Sequence, residues 1–96
     1  EVLMAPALSI DTRADAGYVQ LSEHSVVRTE QFGPSVLVDL DSAGEPVGLE
    51  ILTLTADVDT DAFAARYGLP EDTRRQLAAV LSRAVSARST PTDTPK

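Results

Sequence analysis

Three carboxylates in the stretch "VLVDLDSAGEPVGLEIL", residues 36–52, stand at spacings that could do metal chemistry. With Asp39 as the first position of a calcium loop, Asp41 is the third, Gly44 the sixth and Glu50 the twelfth. The fifth position is Ala43, whose side chain carries no oxygen, and the eighth is Pro46, where an aliphatic residue is expected. The flanks alternate as strands do, whereas a calcium loop of this kind joins helices. The stretch therefore reads as a hairpin. Asp41 is expected to accept backbone N–H groups across its turn, and Gly44 to take a positive φ.

Other residues with chemical potential are scattered. His24 is the only histidine, in the polar link "SEHS"; the chain has no cysteine, and no motif places a serine to pair with it. It reads as a solvated turn histidine. Asp11 with Asp15, and Asp39 with Asp41, could serve as paired acids and bases only if their environments differed. Exposed acids on a sheet explain them equally well. No nucleophile elbow, phosphate loop or zinc pattern is present. No catalytic, cofactor-binding or metal-binding residue is assigned, and no cofactor is expected. The segment "FAARYGLPEDTRRQLAAVL" has the outline of a helix-turn-helix, with Arg74 and Arg75 able to reach phosphates or guanine edges. Against this, Arg74 stands where such motifs bury an apolar residue, and two helices are available where three are usual.

The elements that would position these groups are legible from periodicity. "ALSI", "AGYVQLS", "VVRTEQF", "SVLVDL" and "VGLEIL" are short runs rich in β-branched residues with a period of two. Val36, Val38 and Leu40 share one face, as do Val47, Leu49 and Ile51. The short links predict an antiparallel meander of four or five strands. After residue 56 the period changes. Thr60 is the expected N-cap of a short helix ending at Gly68, and a longer helix begins near Pro70–Asp72. Leu77, Leu81, Ala84 and Val85 form its apolar stripe. The polar, proline-containing end is expected to fray from Ser86, so that residues 1–87 form a single α+β domain and 88–96 a disordered tail.

Composition narrows the function classes. The chain has 96 residues, no cysteine and a net charge of −7. Disulfides, thiolate metal sites and thiol nucleophiles are excluded, which suits a reducing cytoplasm. No apolar run approaches the ~20 residues needed to span a bilayer, and the opening "EVLMAPALSI" lacks the basic stretch of a signal peptide. Residues 1–60 hold eleven acids against two arginines, and residues 61–96 hold four acids against six basic residues. The acidic balance and the scarcity of aromatic residues argue against nucleic acid as a partner.

The segments "DTRADAGYVQLS" and "VVRTEQFGPSVLVDLDSAGEPVGLEIL" resemble a family of small bacterial domains, domain of unknown function family 2283, over about residues 7–54. The carrying patterns are Asp11-x-x-Ala14-Asp15-Ala16-x-Tyr18, and Val38-Asp39-x-Asp41-x-x-Gly44 followed by Gly48-x-Glu50-Ile51-Leu52. Gly17 departs from the larger residues usual before that tyrosine, which would loosen the strand. The resemblance implies an antiparallel sheet and no established catalytic residues. Relatives encoded beside RelE-like toxins imply an antitoxin-like role.

The expected architecture is thus α+β, a four- or five-stranded antiparallel sheet followed by a short helix and a longer helix packed on one sheet face. The preferred function is a non-catalytic protein-interaction module that binds a basic partner. DNA binding through residues 61–88, and a small-ligand site or enzyme using sheet carboxylates, are the alternatives. A homodimer is expected because both faces of the sheet carry apolar residues: Val36, Val38, Leu40, Val47, Leu49 and Ile51 fall on one alternating set, and Val19, Leu21, Leu37, Leu52 and Leu54 cannot all share that face.

Overall fold

The computed structural model describes residues 4–54 and 56–89. Five strands, β1 (Ala7–Asp11), β2 (Ala16–Gln20), β3 (Arg28–Gly33), β4 (Val36–Leu40) and β5 (Pro46–Ile51), form one antiparallel sheet. Two helices follow, α1 (Thr60–Tyr67) and α2 (Glu71–Ser89). The fold is α+β, as the periodicity implies.

The strand order is β1-β2-β5-β4-β3. β3, β4 and β5 form the expected meander, but β2 lies beside β5 rather than beside β3. The link between β2 and β3, residues 21–27, passes across the ends of β5 and β4. Leu21 donates its N–H to Val47 O at 2.7 Å on one side, and Val27 donates to Leu40 O at 2.8 Å on the other. Two intervening strands set β2 and β3 ~14 Å apart, which seven extended residues span. Link length alone did not fix the neighbour.

The register sorts the side chains. Leu8, Val19, Leu49 and Val38 lie in one row across the sheet, and Ile10, Gly17, Ile51 and Val36 in another. These rows face the helices. Val19, Leu21, Val36, Val38, Leu40, Leu49 and Ile51 form one buried cluster with Phe63, Leu77, Val80 and Leu81. Val19 and Leu21 therefore share a face with Val38 and Leu49, and of the five residues that cannot all lie on it they belong to the buried side. Leu54 is buried as well. On the other side only Leu37, half-buried, and the exposed Leu52 remain. The argument for a dimer from two apolar faces loses its premise. Gly17 keeps full register with Ile10 and Ile51, and a Cβ there would stand 3.2 Å from Leu54 Cδ2. It makes room for Leu54 and does not loosen the strand.

Helix α1 is capped by Asp59, not Thr60: Asp59 Oδ1 accepts the Ala62 N–H at 3.0 Å. Gly68 closes it in the left-handed region, its N–H donating to Ala64 O. The helix is anchored by aromatic rings. Phe63, fully buried, meets Phe32 of β3 edge-on at 5.2 Å and Tyr67 at 4.9 Å. Tyr67 Oη donates to Glu30 Oε2 at 2.9 Å, and Arg66 pairs with Glu30 Oε1. Along α2 the buried stripe is Leu77, Val80, Leu81 and Ala84, while Val85 is exposed. The helix continues through Ser89, past the expected fraying point at Ser86, because no proline intervenes before residue 91. The remaining tail, 90–96, lies outside the described residues.

Leu77 has no exposed surface, whereas Leu81 borders an open groove against residues 51–60. Leu77→Ala is expected to cost about 2–5 kcal/mol, and Leu81→Ala to fall at the lower end of that range, because its site can relax toward the groove. Denaturant unfolding of the two variants measures both, and unchanged stability in Leu77→Ala would displace α2 from the sheet.

Candidate functional site on the uncovered sheet face

The sheet face turned away from the helices is polar. Its rows are Ser9, Tyr18, Glu50, Leu37 and Gln31, and beside them Ala7, Gln20, Gly48, Asp39 and Thr29. Tyr18 does not stay within its own row. Its phenol lies over Gly48 of β5 and donates to Asp39 Oδ2 of β4 at 3.0 Å. A Cβ at residue 48 would fall 1.8 Å from the Tyr18 oxygen, so only glycine leaves room for the ring. Thr29 Oγ1 of β3 donates to Asp39 Oδ1 at 2.6 Å, so both Asp39 oxygens are engaged. Glu50 stands directly opposite Tyr18 across the β2–β5 ladder. Beside it a shallow cleft of about 270 Å³ is lined by Ser9, Ile10, Asp11, Ala16, Gly17, Tyr18 and Glu50.

The electrostatics of Tyr18 follow from this placement. Burial of its hydroxyl, the hydrogen bond to Asp39 and the negative charges of Asp39 and then Glu50 push its pKa up to about 12. At neutral pH it is a hydrogen-bond donor and a neutral aromatic surface, not a phenolate base.

The other acids singled out in the sequence brace turns. Asp11 Oδ1 accepts the N–H groups of Arg13 and Ala14, shaping the β1–β2 turn. Asp15 takes a left-handed conformation, φ 54°, and its Oδ2 accepts the Thr53 hydroxyl at 2.7 Å, tying that turn to the chain after β5. They are turn residues, not an acid–base pair. Asp39 and Asp41 do not share an environment either. Asp41, 5 % exposed, accepts the N–H groups of Ala43 and Glu45 on Oδ1, both at 2.9 Å. Gly44 adopts φ 81° in the same turn. The hairpin reading of this loop holds, and it separates Asp39 and Glu50 on the open face from Asp41 in the turn. Among the described residues no group of three or more potential metal ligands comes together.

His24 corrects the sequence reading. It remains exposed, yet its Nδ1 lies 2.7 Å from Asp41 Oδ2. The hydrogen bond from His24, followed by those from the Glu45 and Ala43 backbone, holds the Asp41 carboxyl below its ordinary value. The Ser22 hydroxyl accepts the His24 backbone N–H at 3.2 Å, so Ser22 meets the main chain and not the ring. The pair pins the β2–β3 link to the β4–β5 turn. Sequence spacing could not reveal a contact between residues 17 positions apart. The Tyr18 arrangement did leave one signal, the isolated Gly48 inside an apolar strand, which marks a close approach of another group.

In the suggested helix-turn-helix Arg74 and Arg75 face acids of α1 and α2. Arg74 forks Glu71 and reaches Asp61 of α1, and Arg75 pairs with Asp72.

These features define a class: a small α+β domain with a five-stranded antiparallel sheet, helices on one face and a tyrosine–carboxylate array on the other. Residues 8–54 match the family described as "Protein of unknown function (DUF2283)", and this part of the chain belongs to that family. The match covers β1–β5 and stops before the helices. No curated protein and no solved structure matches the chain. No helix among the described residues is long and apolar enough to cross a membrane.

The raised Tyr18 pKa gives a signed expectation. The fold favours the protonated phenol, so its contribution to stability is complete below the ordinary value of 10.0 and is lost as pH rises toward about 12. Asp39→Asn is expected to bring the Tyr18 pKa part of the way back, since burial and Glu50 remain. The ring-carbon NMR signals of the two tyrosines read this directly. Tyr67, raised by burial and by Glu30, is the internal control. A Tyr18 titration unchanged by Asp39→Asn would refute the hydrogen bond.

Proposed function

We propose that the chain is a non-catalytic protein-interaction module that binds a basic protein partner through the uncovered face of its sheet. One observation carries this reading. The strand positions on that face, from Ala7, Ser9 and Asp11 of β1 to Thr29 and Gln31 of β3, include the carboxylates Asp11, Asp39 and Glu50 and neither lysine nor arginine. Such a face attracts a positively charged surface and speeds encounter with it. The engagement of both Asp39 oxygens and of Asp11 and Asp15 weighs against acid–base catalysis on the sheet. The ion pairs of Arg74 and Arg75 weigh against DNA binding through residues 61–88. An antitoxin-like role is one biological form of this proposal and rests on the resemblance alone. A cytoplasmic setting suits a chain without cysteine.

Self-association is a second reading, favoured by the open edges of β1 and β3 and by Val26 and Val27, 47 % and 57 % exposed where the chain enters β3. Sedimentation equilibrium reads it, and a constant 10.2 kDa mass across micromolar concentrations rejects it.

For the basic-partner reading, a lysine-rich peptide titrated into nitrogen-15-labelled protein is expected to shift amides of β2, β4 and β5, less so as salt rises. The double variant Asp39→Asn/Glu50→Gln is expected to abolish the response. Glu23→Gln/Asp57→Asn, with the same charge change off the face, is expected to preserve it. Equal loss in both variants, or shifts centred on α1 and α2, would overturn the proposal.

A further inference from the structure

We propose that the cleft between Tyr18 and Glu50 receives a single arginine side chain of the basic partner, an inference that rests on the interaction reading above. The accounting of acids points to Glu50. Asp11, Glu30, Asp39, Asp61, Glu71 and Asp72, the other acids within strands and helices, all accept hydrogen bonds from backbone, hydroxyl or arginine groups. Glu50, half-buried in the interior of the sheet, accepts none among the described residues. Arginines of the chain that are described stand elsewhere. Arg66, Arg74 and Arg75 pair with helical or β3 acids, and Arg28 lies near Tyr67 on the helix side. Arg13, in the β1–β2 turn, and Arg83, on α2, are exposed. Among the described residues no basic side chain pairs with Glu50, which leaves its carboxylate open to a cation from another molecule.

The shape selects the kind of cation. The cleft holds about 270 Å³, under the ~300–1,000 Å³ typical of small-molecule sites, and suits one side chain better than a cofactor. Tyr18, its phenol fixed over Gly48 by Asp39, and Glu50 both line the cleft. A guanidinium is planar and weakly hydrated. It can fork a carboxylate with two parallel N–H groups while its face stacks on an aromatic ring. An ammonium offers neither the fork nor the plane. Because Tyr18 is already held, little side-chain freedom is lost on binding.

The test uses the full chain labelled with nitrogen-15, with N-acetyl-argininamide as the probe and N-acetyl-lysinamide in parallel. Saturable shifts are expected at the amides of residues 16–18 and 50, with an argininamide dissociation constant on the order of millimolar, as a ligand of this size allows. Lysinamide is expected to bind at least about fivefold more weakly, and Glu50→Gln to weaken argininamide at least about tenfold. Glu23→Gln, an exposed acid off the sheet face, is expected to bind like the parent. Should Glu50→Gln lose the native amide pattern, Glu50→Asp keeps the charge but withdraws it, and is expected to weaken binding as well. Equal affinity for the two probes, equal loss in the Glu50 and Glu23 variants, or the absence of saturable shifts would overturn the arginine cleft. If the lysine-rich peptide still engages the face in that case, the interaction reading stands alone. If both probes are silent, both fall.

Discussion

The phenol of Tyr18 crosses from β2 over β5 to Asp39 of β4, and Thr29 of β3 completes the line. Four of the five strands meet in this one set of contacts. A glycine in a strand interior weakens it by roughly 0.5–1 kcal/mol relative to alanine. A hydrogen bond to a charged acceptor contributes about 1.5–3 kcal/mol, less at a half-exposed site such as this one. The balance is near even in energy, so the larger effect is on specificity. Moving β5 by one residue would bring Val47 or Leu49 beneath the ring and turn the aliphatic set outward. The arrangement also explains why β2 neighbours β5: Gly48 lies in the strand interior and leaves space for the ring.

The same register separates the packed face of the sheet from the open one. Aliphatic rows on one side are sealed by Phe63, Leu77, Val80 and Leu81, and the Phe32–Phe63–Tyr67 ring cluster fixes α1 against the end of β3. The basic residues of the helical part are largely matched where they stand, Arg66 to Glu30, Arg74 to Glu71 and Asp61, Arg75 to Asp72. Exposed pairs of this kind add little stability. Their effect is to leave the negative balance of the chain on the sheet side.

Much of this was legible in the sequence because it is local. Strand alternation located all five strands, and the Gly44 hairpin followed from failed calcium positions at Ala43 and Pro46. The resemblance patterns prove to be physical ones: Asp11 and Asp15 build a turn, Tyr18 needs Gly48, and Asp41 and Gly44 build another. What was not legible is pairing at a distance. Alternation assigns residues to two faces of each strand but does not say which face of β2 matches which face of β5. Only the ladder, with Val19 opposite Leu49, brings Val19 and Leu21 to the helix side. The His24–Asp41 contact failed for the same reason, because a link that crosses the sheet ends brings a turn histidine to a remote hairpin. The N-cap moved by one residue, a local ambiguity between neighbouring Asp59 and Thr60 that sequence cannot break.

Tyr18 is also coupled to whatever Glu50 holds. Burial, Asp39 and Glu50 all oppose loss of the phenolic proton, the last two through negative charge. A cation seated at Glu50 offsets part of that charge and lowers the Tyr18 pKa. By linkage, ionised Tyr18 holds the cation more strongly than the neutral phenol does. A neutral ligand, or a cation bound at α1 or α2, would leave the phenol where Asp39 and Glu50 set it. The same tyrosine that bridges four strands would thus respond to the charge of any cation seated at Glu50.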